Sequence, residues 1–269
     1  MFRTVVIPLA LDDAGDAAVA NGTALARQAG AAIELLTVRS PYDSDAGARR
    51  RLAAVARAHD IDPIVRVVQA DDPAAVLASL DSEAGTLLCL QTHARRPLAE
   101  LALGSVSAQV VRTCRQPVLL VGPQCRQAPS RFESLVVALD GSKLAETILP
   151  VADDWCSHID VTPWLFEVLS ARVPLEMDAS DVQETAYVHR IADQLSLEGF
   201  KAGWDTAHDR DPARAITRFA EAQQPAIVAL TTHGRSGLGQ LVMGSVALAV
   251  AHHAPCPVLV QRAPQEQQP

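Results

Sequence analysis

A glycine-rich stretch in the last quarter of the chain carries residues that could bind an anion. Gly234, Gly237 and Gly239 would let backbone N–H groups close on a phosphate without interference from a Cβ atom. Gly244 and Ser245 come directly before a predicted helix, whose N-terminus presents unpaired N–H groups and the positive end of the helix dipole. This combination is typical of a phosphate-binding site, although the same glycines would also suit a loop with positive φ angles that binds no ligand.

A second polar segment, Asp140-Gly141-Ser142, follows an apolar run. The Asp140 carboxylate could accept hydrogen bonds from the hydroxyl groups of a ribose. The same three residues could instead cap the helix that is predicted to begin at 143. Neither segment is specific by itself. Together they are more specific, because both would meet at one crevice.

Both segments follow predicted strands of an α/β fold. Apolar, β-rich runs alternate with alanine-rich helical patterns, which indicates a parallel sheet with helices on both faces. In such a sheet, ligands bind beyond the carboxyl ends of the strands, where the strand order reverses. The predicted strands are 3–10, 32–38, 64–69, 86–91, 117–122, 134–139, 161–168, 202–207, 226–231 and 257–261. The predicted helices are 14–29, 45–59, 72–83, 104–114, 143–157, 179–198, 212–223 and 244–254.

Local signals support several of these assignments. Asp72-Pro73 and Asp211-Pro212 each predict an aspartate N-cap followed by a proline at the first helical position, where a missing N–H costs nothing. The three tryptophans all fall at helix or strand positions of the second half. We therefore expect Trp155, Trp164 and Trp204 to pack in the core.

The chain contains an internal duplication. Residues 91–120 align with 231–260 at a constant offset of 140, with 12 identities in 30 positions. The segments 5–9 and 135–139 align at an offset of 130, so the second copy carries about ten extra residues, which we place within 169–183. Duplication of this kind predicts two domains in tandem.

Length agrees with two domains, because 269 residues exceed the ~100–150 of a typical domain. We predict two five-stranded, parallel-sheet domains. The predicted boundaries are a first domain at 1–122, a linker at 123–131, a second domain at 132–262 and a tail at 263–269.

Composition and charge argue against several other classes. A formal net charge of −8 and a pI near 5.4 disfavour nucleic acid or an anionic membrane as the main partner, because both attract basic surfaces. No apolar run approaches the ~20 residues of a membrane-spanning helix, and the first residues do not resemble a signal peptide. Five cysteines without paired spacing fit a reducing compartment, so we expect a cytoplasmic protein.

Several catalytic and metal-binding motifs are absent from the sequence. The dinucleotide motif G-x-G-x-x-G fails because Val242 stands where its third glycine is required. Neither the G-x-x-x-x-G-K-[ST] phosphate loop nor the G-x-S-x-G nucleophile elbow occurs. The clusters at 252–256 and 156–158 lack the four ligands of a structural zinc site. We therefore predict no catalytic residue and no metal centre.

Four motifs of the second half resemble the universal stress protein family. They are Val-Ala-Leu-Asp-Gly-Ser at 137–142, Thr-His-Gly-Arg-Ser-Gly at 232–237, Gly-Ser-Val-Ala at 244–247 and His-Ala-Pro-Cys-Pro-Val-Leu-Val at 253–260. The resemblance spans nearly the whole chain, because the family pattern occurs once in each half. It implies a doubly wound, Rossmann-like fold of the adenine nucleotide alpha hydrolase-like class in each half, and a role in the stress response.

Nucleotide-binding members of this family carry Gly-x2-Gly-x9-Gly-Ser/Thr after the fourth strand. Here the last three positions match, and Thr231 replaces the first glycine. The resemblance implies that Asp140 contacts the ribose, that backbone around Glu167-Val168 holds the adenine and that Gly234, Gly244 and Ser245 line the phosphates. The candidate nucleotide-binding residues are Asp140, Gly141, Ser142, Val168, Thr231, Gly234, Arg235, Gly244 and Ser245.

The first half departs further from this pattern. Ala10 stands at the position of the carboxylate, while Gln91 and Ala94 replace the first two glycines. Only Gly104-Ser105 is retained, and it is more typical here of a helix start than of a phosphate site. We therefore expect the first half to be a degenerate copy without nucleotide.

The leading hypothesis is a stress protein whose second domain binds ATP or another adenine nucleotide, with or without Mg²⁺, as a regulatory ligand. The alternatives are a ligand-free scaffold for protein interactions and a slow ATPase. The resemblance also implies that the last strands of the two copies, 117–121 and 257–261, pair antiparallel, which would make one chain an intramolecular pseudo-dimer. A homodimer of whole chains is left open.

Overall fold

The computed structural model describes residues 2–11, 15–92, 104–170, 187–195, 202–232 and 243–263. The first half contains β1 (Thr4–Pro8), α1 (Asp16–Ala29), β2 (Ala32–Arg39), α2 (Asp45–Ala58), β3 (Ile64–Gln69), α3 (Pro73–Ser79), β4 (Thr86–Gln91), α4 (Ser105–Thr113) and β5 (Val118–Val121). The second half contains β6 (Ser134–Leu139), α5 (Lys143–Glu146), α6 (Leu149–Ile159), β7 (Thr162–Ser170), α7 (187–195), β8 (Gly203–Asp209), α8 (Pro212–Ala222), β9 (Ala226–Thr231), α9 (Ser245–His253) and β10 (Val258–Gln261).

The strands form one sheet of ten, in the order β3-β2-β1-β4-β5-β10-β9-β6-β7-β8. Each half repeats the same doubly wound order, and every pairing within a half is parallel. The two halves join through β5 and β10, which pair antiparallel with Leu119 opposite Leu259. The predicted α/β fold and the predicted pairing of the last strands are both confirmed.

Helices cover both faces of the sheet and divide the core into two layers. On one face, α1, α2, α6 and α7 bury side chains such as Leu25, Leu52 and Val188. On the other face, α3, α4, α8 and α9 pack over the opposite side chains of the same strands, with Ile216 and Val250 at the centre of their contacts. Because the central strands are covered on both faces, β6 and β9 are buried along their full length.

The contact between the halves is made by α1 and α6 as well as by the strands. Gln28, in the last turn of α1, accepts a hydrogen bond from the Phe132 N–H at 2.8 Å. Its amide nitrogen donates to the carbonyl oxygens of Phe132 at 2.9 Å and Ile159 at 2.6 Å. Phe2 packs against Trp155 with ring centroids 5.2 Å apart. One side chain of the first half thereby satisfies three backbone groups of the second.

The helix predicted at 143–157 is broken in the structure. It divides into α5 and α6, with Pro150 in the first turn of α6. Proline has no N–H to donate, and its ring collides with the carbonyl four residues earlier, which here belongs to Glu146. The break at 147–148 follows from this clash. Similarly, the helix predicted at 72–83 ends at Ser79 and continues only as a 3₁₀ turn at Leu80–Ser82.

Other local predictions are confirmed with small shifts at the ends. The carboxylates of Asp72 and Asp211 accept the N–H groups of Ala75 and Arg214, each at 3.1 Å, so both Asp-Pro pairs start helices. The core assignment holds for Trp155 but is wrong for Trp204, which is 39% exposed because β8 lies at the edge of the sheet. Most of the insertion at 169–183 and the tail beyond 263 lie outside the described residues.

Within the described ranges, no helix is both long and apolar enough to cross a membrane.

Candidate functional site

The carboxyl ends of β6 and β9 form the point at which the second half reverses its strand order. The chain runs outward from β6 to β7 and β8, and then returns to place β9 on the opposite side of β6. In this register Val137 lies opposite Ala229, so β6 and β9 end at the same level. Asp140 directly follows β6 and Thr231 ends β9. The structure therefore brings these two predicted site residues to one crevice, where an open α/β sheet binds ligands.

The segment Asp140-Gly141-Ser142 is a tight turn that caps α5. Asp140 Oδ1 accepts hydrogen bonds from the Ser142 backbone N–H at 3.0 Å and from its hydroxyl at 2.6 Å. The Ser142 Oγ in turn accepts the Ala145 N–H at 3.1 Å. Gly141 has a φ of 78°, which favours glycine. The capping role considered from the sequence is thus present, and it holds the Asp140 carboxylate in a defined position at the crevice.

The N-terminus of α9 lies at the end of β9, where Gly244 contacts Thr232. Gly244 is the N-cap residue of α9, and it has no side chain to accept the first N–H groups of the helix. Ser245, the first residue of α9, is exposed. The first N–H groups of a helix have no partner within the helix, and together with the helix dipole they make this position suitable for a phosphate. Gly234 and Arg235, which the sequence also assigns to the phosphate loop, lie outside the described residues.

Gly244 also has a structural role that is independent of any ligand. Its N–H donates to the Thr232 carbonyl oxygen at 2.6 Å. A Cβ atom at this position would lie 2.7 Å from the same oxygen, closer than real contacts allow. Thr231 and Thr232 are themselves buried, with 8% and 3% of their surfaces exposed. A larger residue at 244 would therefore disturb the backbone whether or not the site binds a nucleotide.

The carboxyl end of β7 adds a buried carboxylate and a tyrosine hydroxyl whose side chains the sequence did not assign to the site. Glu167 lies opposite Leu139 in the register and is only 1% exposed, whereas Val168 points to the other face and is partly buried. Burial raises the pKa of the Tyr187 hydroxyl on α7, and the nearby carboxylates of Glu146, Glu167 and Asp140 raise it further. A glutamate within the apolar run 164–169 was the sequence signal for this acidic group.

Charge differs between the two sides of the crevice. Toward β7, the carboxylates of Glu146, Glu167 and Asp140 all raise the pKa of the Tyr187 hydroxyl, and the Lys143 ammonium pairs with Glu146 at 2.7 Å. Toward α9, the helix N-terminus offers partial positive charge. The β7 side thus suits the uncharged, hydrogen-bond-donating parts of a ligand, and the α9 side suits an anion.

The corresponding crevice of the first half is filled by its own side chains. Gln91, at the end of β4, places its Oε1 3.2 Å from the Ala18 N–H and accepts a hydrogen bond from the first turn of α1. Leu9 approaches so closely that a Cβ on Gly15 would lie 2.3 Å from its Cδ2. Ala10 brings no carboxylate, and Ala94 lies outside the described residues. Gln91 thus satisfies the helix start that Ser142 caps in the second half.

Among the described residues, no group of three or more His, Cys, Asp or Glu side chains is arranged to hold a metal ion. All five cysteines are buried and unpaired. Burial raises the pKa of the Cys114, Cys125, Cys156 and Cys256 thiols to about 12 in each case. These thiols are therefore protonated and unreactive at neutral pH.

Known structures share this architecture over almost the whole chain. A universal stress protein from Archaeoglobus fulgidus matches with a TM-score of 0.66 at 18% identity, covering 97% of this chain and 98% of that chain. A functionally unknown protein from Pseudomonas aeruginosa matches with a TM-score of 0.70 at 17% identity, covering 97% and 93%. At such low identity, these likenesses establish the fold alone.

Proteins of similar sequence give stronger evidence for the family of this chain than the solved structures do. A universal stress protein of Mycobacterium tuberculosis strain H37Rv is 31% identical over 207 residues, which cover 71% of this chain and 66% of that relative. A second from the same strain is 29% identical over 179 residues, covering 60% and 56%. The family model described as the universal stress protein family matches twice, at residues 43–122 and 131–262. Since these two matches span most of the sequence, the chain belongs to the universal stress protein family.

Proposed function

We propose that the second half binds one adenine nucleotide, with ATP as the first candidate, in the crevice between β6 and β9. The observation that carries this proposal is the joint position of the Asp140 carboxylate and the α9 N-terminus on either side of the point where strand order reverses. The nucleotide would act as a regulatory ligand of a stress-response protein.

Each part of the nucleotide has a matching part of the crevice. Asp140, oriented by Ser142 and Gly141, would accept from the ribose hydroxyls. The α9 N-terminus, with Gly244 and Ser245, would receive the phosphates, to which the sequence also assigns Gly234 and Arg235. The acidic side near Val168 would exclude phosphates and accept the amino group of adenine. Mg²⁺ could accompany the phosphates, and Asp140 is the carboxylate among the candidate site residues that could contact it.

The first half is proposed to bind no nucleotide. Gln91 occupies the position next to α1, and Ala10 supplies no carboxylate, so the ribose contact is missing, although the helix start at Gly104-Ser105 is retained. The stoichiometry should therefore be one nucleotide per chain.

The proposal is tested with Ser245→Glu, because this change separates binding from folding. A carboxylate at the start of α9 interacts favourably with the helix dipole, so the ligand-free protein should be as stable as the wild type or slightly more stable. The same carboxylate would repel the phosphates. We expect wild-type protein to retain about one adenine nucleotide on purification, measured by mass spectrometry. ATP at a hundredfold excess over Kd should stabilise it by about 2.7 kcal/mol in thermal unfolding, and Ser245→Glu should lose both effects.

The matched control is Ser105→Glu at the equivalent helix start in the first half. It should bind ATP as the wild type does. Equal loss of ATP binding in both variants would place the site elsewhere, and no nucleotide or thermal shift in the wild type at millimolar ATP would reject the proposal.

A ligand-free scaffold for protein interactions is the second candidate. The observation that favours it is Thr231, a buried β-branched residue at the position where nucleotide-binding relatives carry glycine. It predicts that ATP changes neither stability nor assembly. Slow ATP hydrolysis would be detected in the same preparations as phosphate release that is lost in Asp140→Ala.

A further inference from the structure

The ten-stranded sheet ends at two edges, β3 and β8. The strands β5 and β10, which lie at the edge of each half, pair with each other inside one chain. Within the described ranges, no strand pairs with the outer side of β3 or of β8. A sheet edge with unpaired backbone groups is a template for another strand. Among the described strands, these two edges are therefore the candidates for an association that extends the sheet.

The side chains of β8 divide cleanly between the two faces of the sheet. Trp204 lies opposite Leu165, in the layer covered by α7, and Ala207 lies opposite Val168, in the layer covered by α8. Alternation then places Trp204, Thr206 and His208 on the α7 face. Trp204 and His208 are exposed, and the Trp204 ring meets His189 of α7 edge-on at 5.0 Å. This edge therefore presents an aromatic side chain that is only partly covered.

The backbone of β8 shows which groups point outward. The Thr206 N–H donates to the carboxylate of the preceding residue, Asp205, at 2.8 Å. This bond indicates that the Thr206 N–H points away from β7. Because the N–H and C=O groups of successive strand residues point to alternate sides, Trp204 and His208 also direct theirs to the outer edge.

These features make the β8 edge self-complementary. In an antiparallel register centred on Thr206, the two Thr206 residues exchange both backbone hydrogen bonds across a two-fold axis. Trp204 of one chain then lies opposite His208 of the other, which is a favourable pair of rings on the same face. Asp205 lies opposite Ala207, and Asp209 lies opposite Gly203, so no like charges lie directly opposite each other, and the Asp205 residues of the two chains meet only as diagonal neighbours. A two-fold interface requires this kind of self-complementarity.

The β3 edge is less suitable. Arg66, near its centre, is held in a network with the buried Glu34 at 2.6 Å and with Glu83 at 2.9 Å. A two-fold register centred on Arg66 would bring two guanidinium groups face to face. Charged residues at a sheet edge commonly prevent this kind of pairing.

We propose that a second copy of this chain docks on β8 in this antiparallel register, so that two ten-stranded sheets join into one. Asp205 competes with this association, because its carboxylate already accepts the hydrogen bond of the Thr206 N–H. The interface is small, so we expect a weak dimer with a Kd on the order of 100 µM.

The test uses the full chain and charge reversal at the two-fold axis. Sedimentation equilibrium should show dimer for the wild type at high concentration and monomer for both Thr206→Lys and Thr206→Glu, because each places like charges opposite each other. An equimolar mixture of the two variants should dimerise again, which a folding defect cannot produce. Asp205→Ala should tighten the wild-type dimer about fivefold to tenfold, because the Thr206 N–H loses its internal acceptor.

Two controls complete the experiment. Thr206→Gln, which is long but neutral, should dimerise like the wild type, and Val67→Lys on the β3 edge should have no effect. A monomeric wild type and a monomeric Asp205→Ala at about 1 mM would overturn the proposal. It would also be overturned by a dimer that survives Thr206→Lys and Thr206→Glu but is lost in Val67→Lys.

Discussion

At the scale of single residues, the two halves use different side chains for the same task. Ser142 caps α5 locally, because its hydroxyl oxygen accepts the N–H of Ala145, three residues later in the chain. Gln91 caps α1 from a distant strand, because its side-chain oxygen accepts the N–H of Ala18, 73 residues earlier in the chain. The first half has therefore replaced an open crevice with an internal hydrogen bond. If the second half binds the proposed nucleotide, this exchange would remove the corresponding site of the first half without loss of the fold.

Gln91 gives a prediction at this scale. Gln91→Ala removes the acceptor from the first turn of α1, so the free energy of unfolding should fall by about 1 kcal/mol. Gln91→Glu keeps an acceptor and places negative charge at a helix N-terminus, so it should be as stable as the wild type. Urea denaturation followed by circular dichroism measures both. Equal stabilities of the alanine variant and the wild type would contradict the assigned role, and ATP binding should not change in either variant.

At the scale of elements, helix ends differ between the two copies. α1 ends at Gly30, whose φ of 63° is the left-handed conformation that glycine adopts without strain. α6 ends in the same conformation at Asp160, with a φ of 52°. Aspartate tolerates this region better than most residues but less well than glycine. The Asp160 side chain is almost fully exposed and forms a surface ion pair with Arg131, which contributes little.

Exchanging these two residues provides a matched test. Asp160→Gly should raise the free energy of unfolding by about 0.5 kcal/mol, because relief of backbone strain exceeds the loss of the surface pair. Gly30→Asp should lower it by about 1 kcal/mol. Thermal unfolding of both variants gives the comparison. A destabilising Asp160→Gly would mean that the ion pair with Arg131 matters more than the backbone conformation.

At the scale of the whole molecule, the halves share a sheet and a polar contact and should unfold together. Gln28 satisfies three backbone groups across the junction. Gln28→Met keeps the size of the side chain but leaves these groups without their partner, so the free energy of unfolding should fall by about 2–3 kcal/mol. Calorimetry should still show one transition at a lower temperature. Two separate transitions in the wild type would show that the halves are independent.

Much of the fold could be predicted from the sequence because its signals are local or repeated. Alternating apolar and alanine-rich runs indicated strands and helices, the duplication indicated two copies, and the Asp-Pro pairs located two helix starts. The positions of Asp140 and Thr231 at the ends of strands followed from the same pattern, since carboxyl ends of parallel strands meet at one edge. Their roles in binding a nucleotide stay predictions, as do the domain boundaries.

The sequence by itself therefore determined the fold class and the approximate positions of the strands, because strand period, helix caps and the repeat depend on neighbours in the chain. Only the tertiary structure decided which groups fill or line the crevice. Three of these interactions join residues far apart in sequence. They are the hydrogen bond of Gln91 to α1, the hydrogen bonds of Gln28 to Phe132 and the effect of the Glu167 carboxylate on the pKa of Tyr187. The exposure of Trp204 has the same origin, because the order of strands, and not the composition of β8, places that strand at the edge.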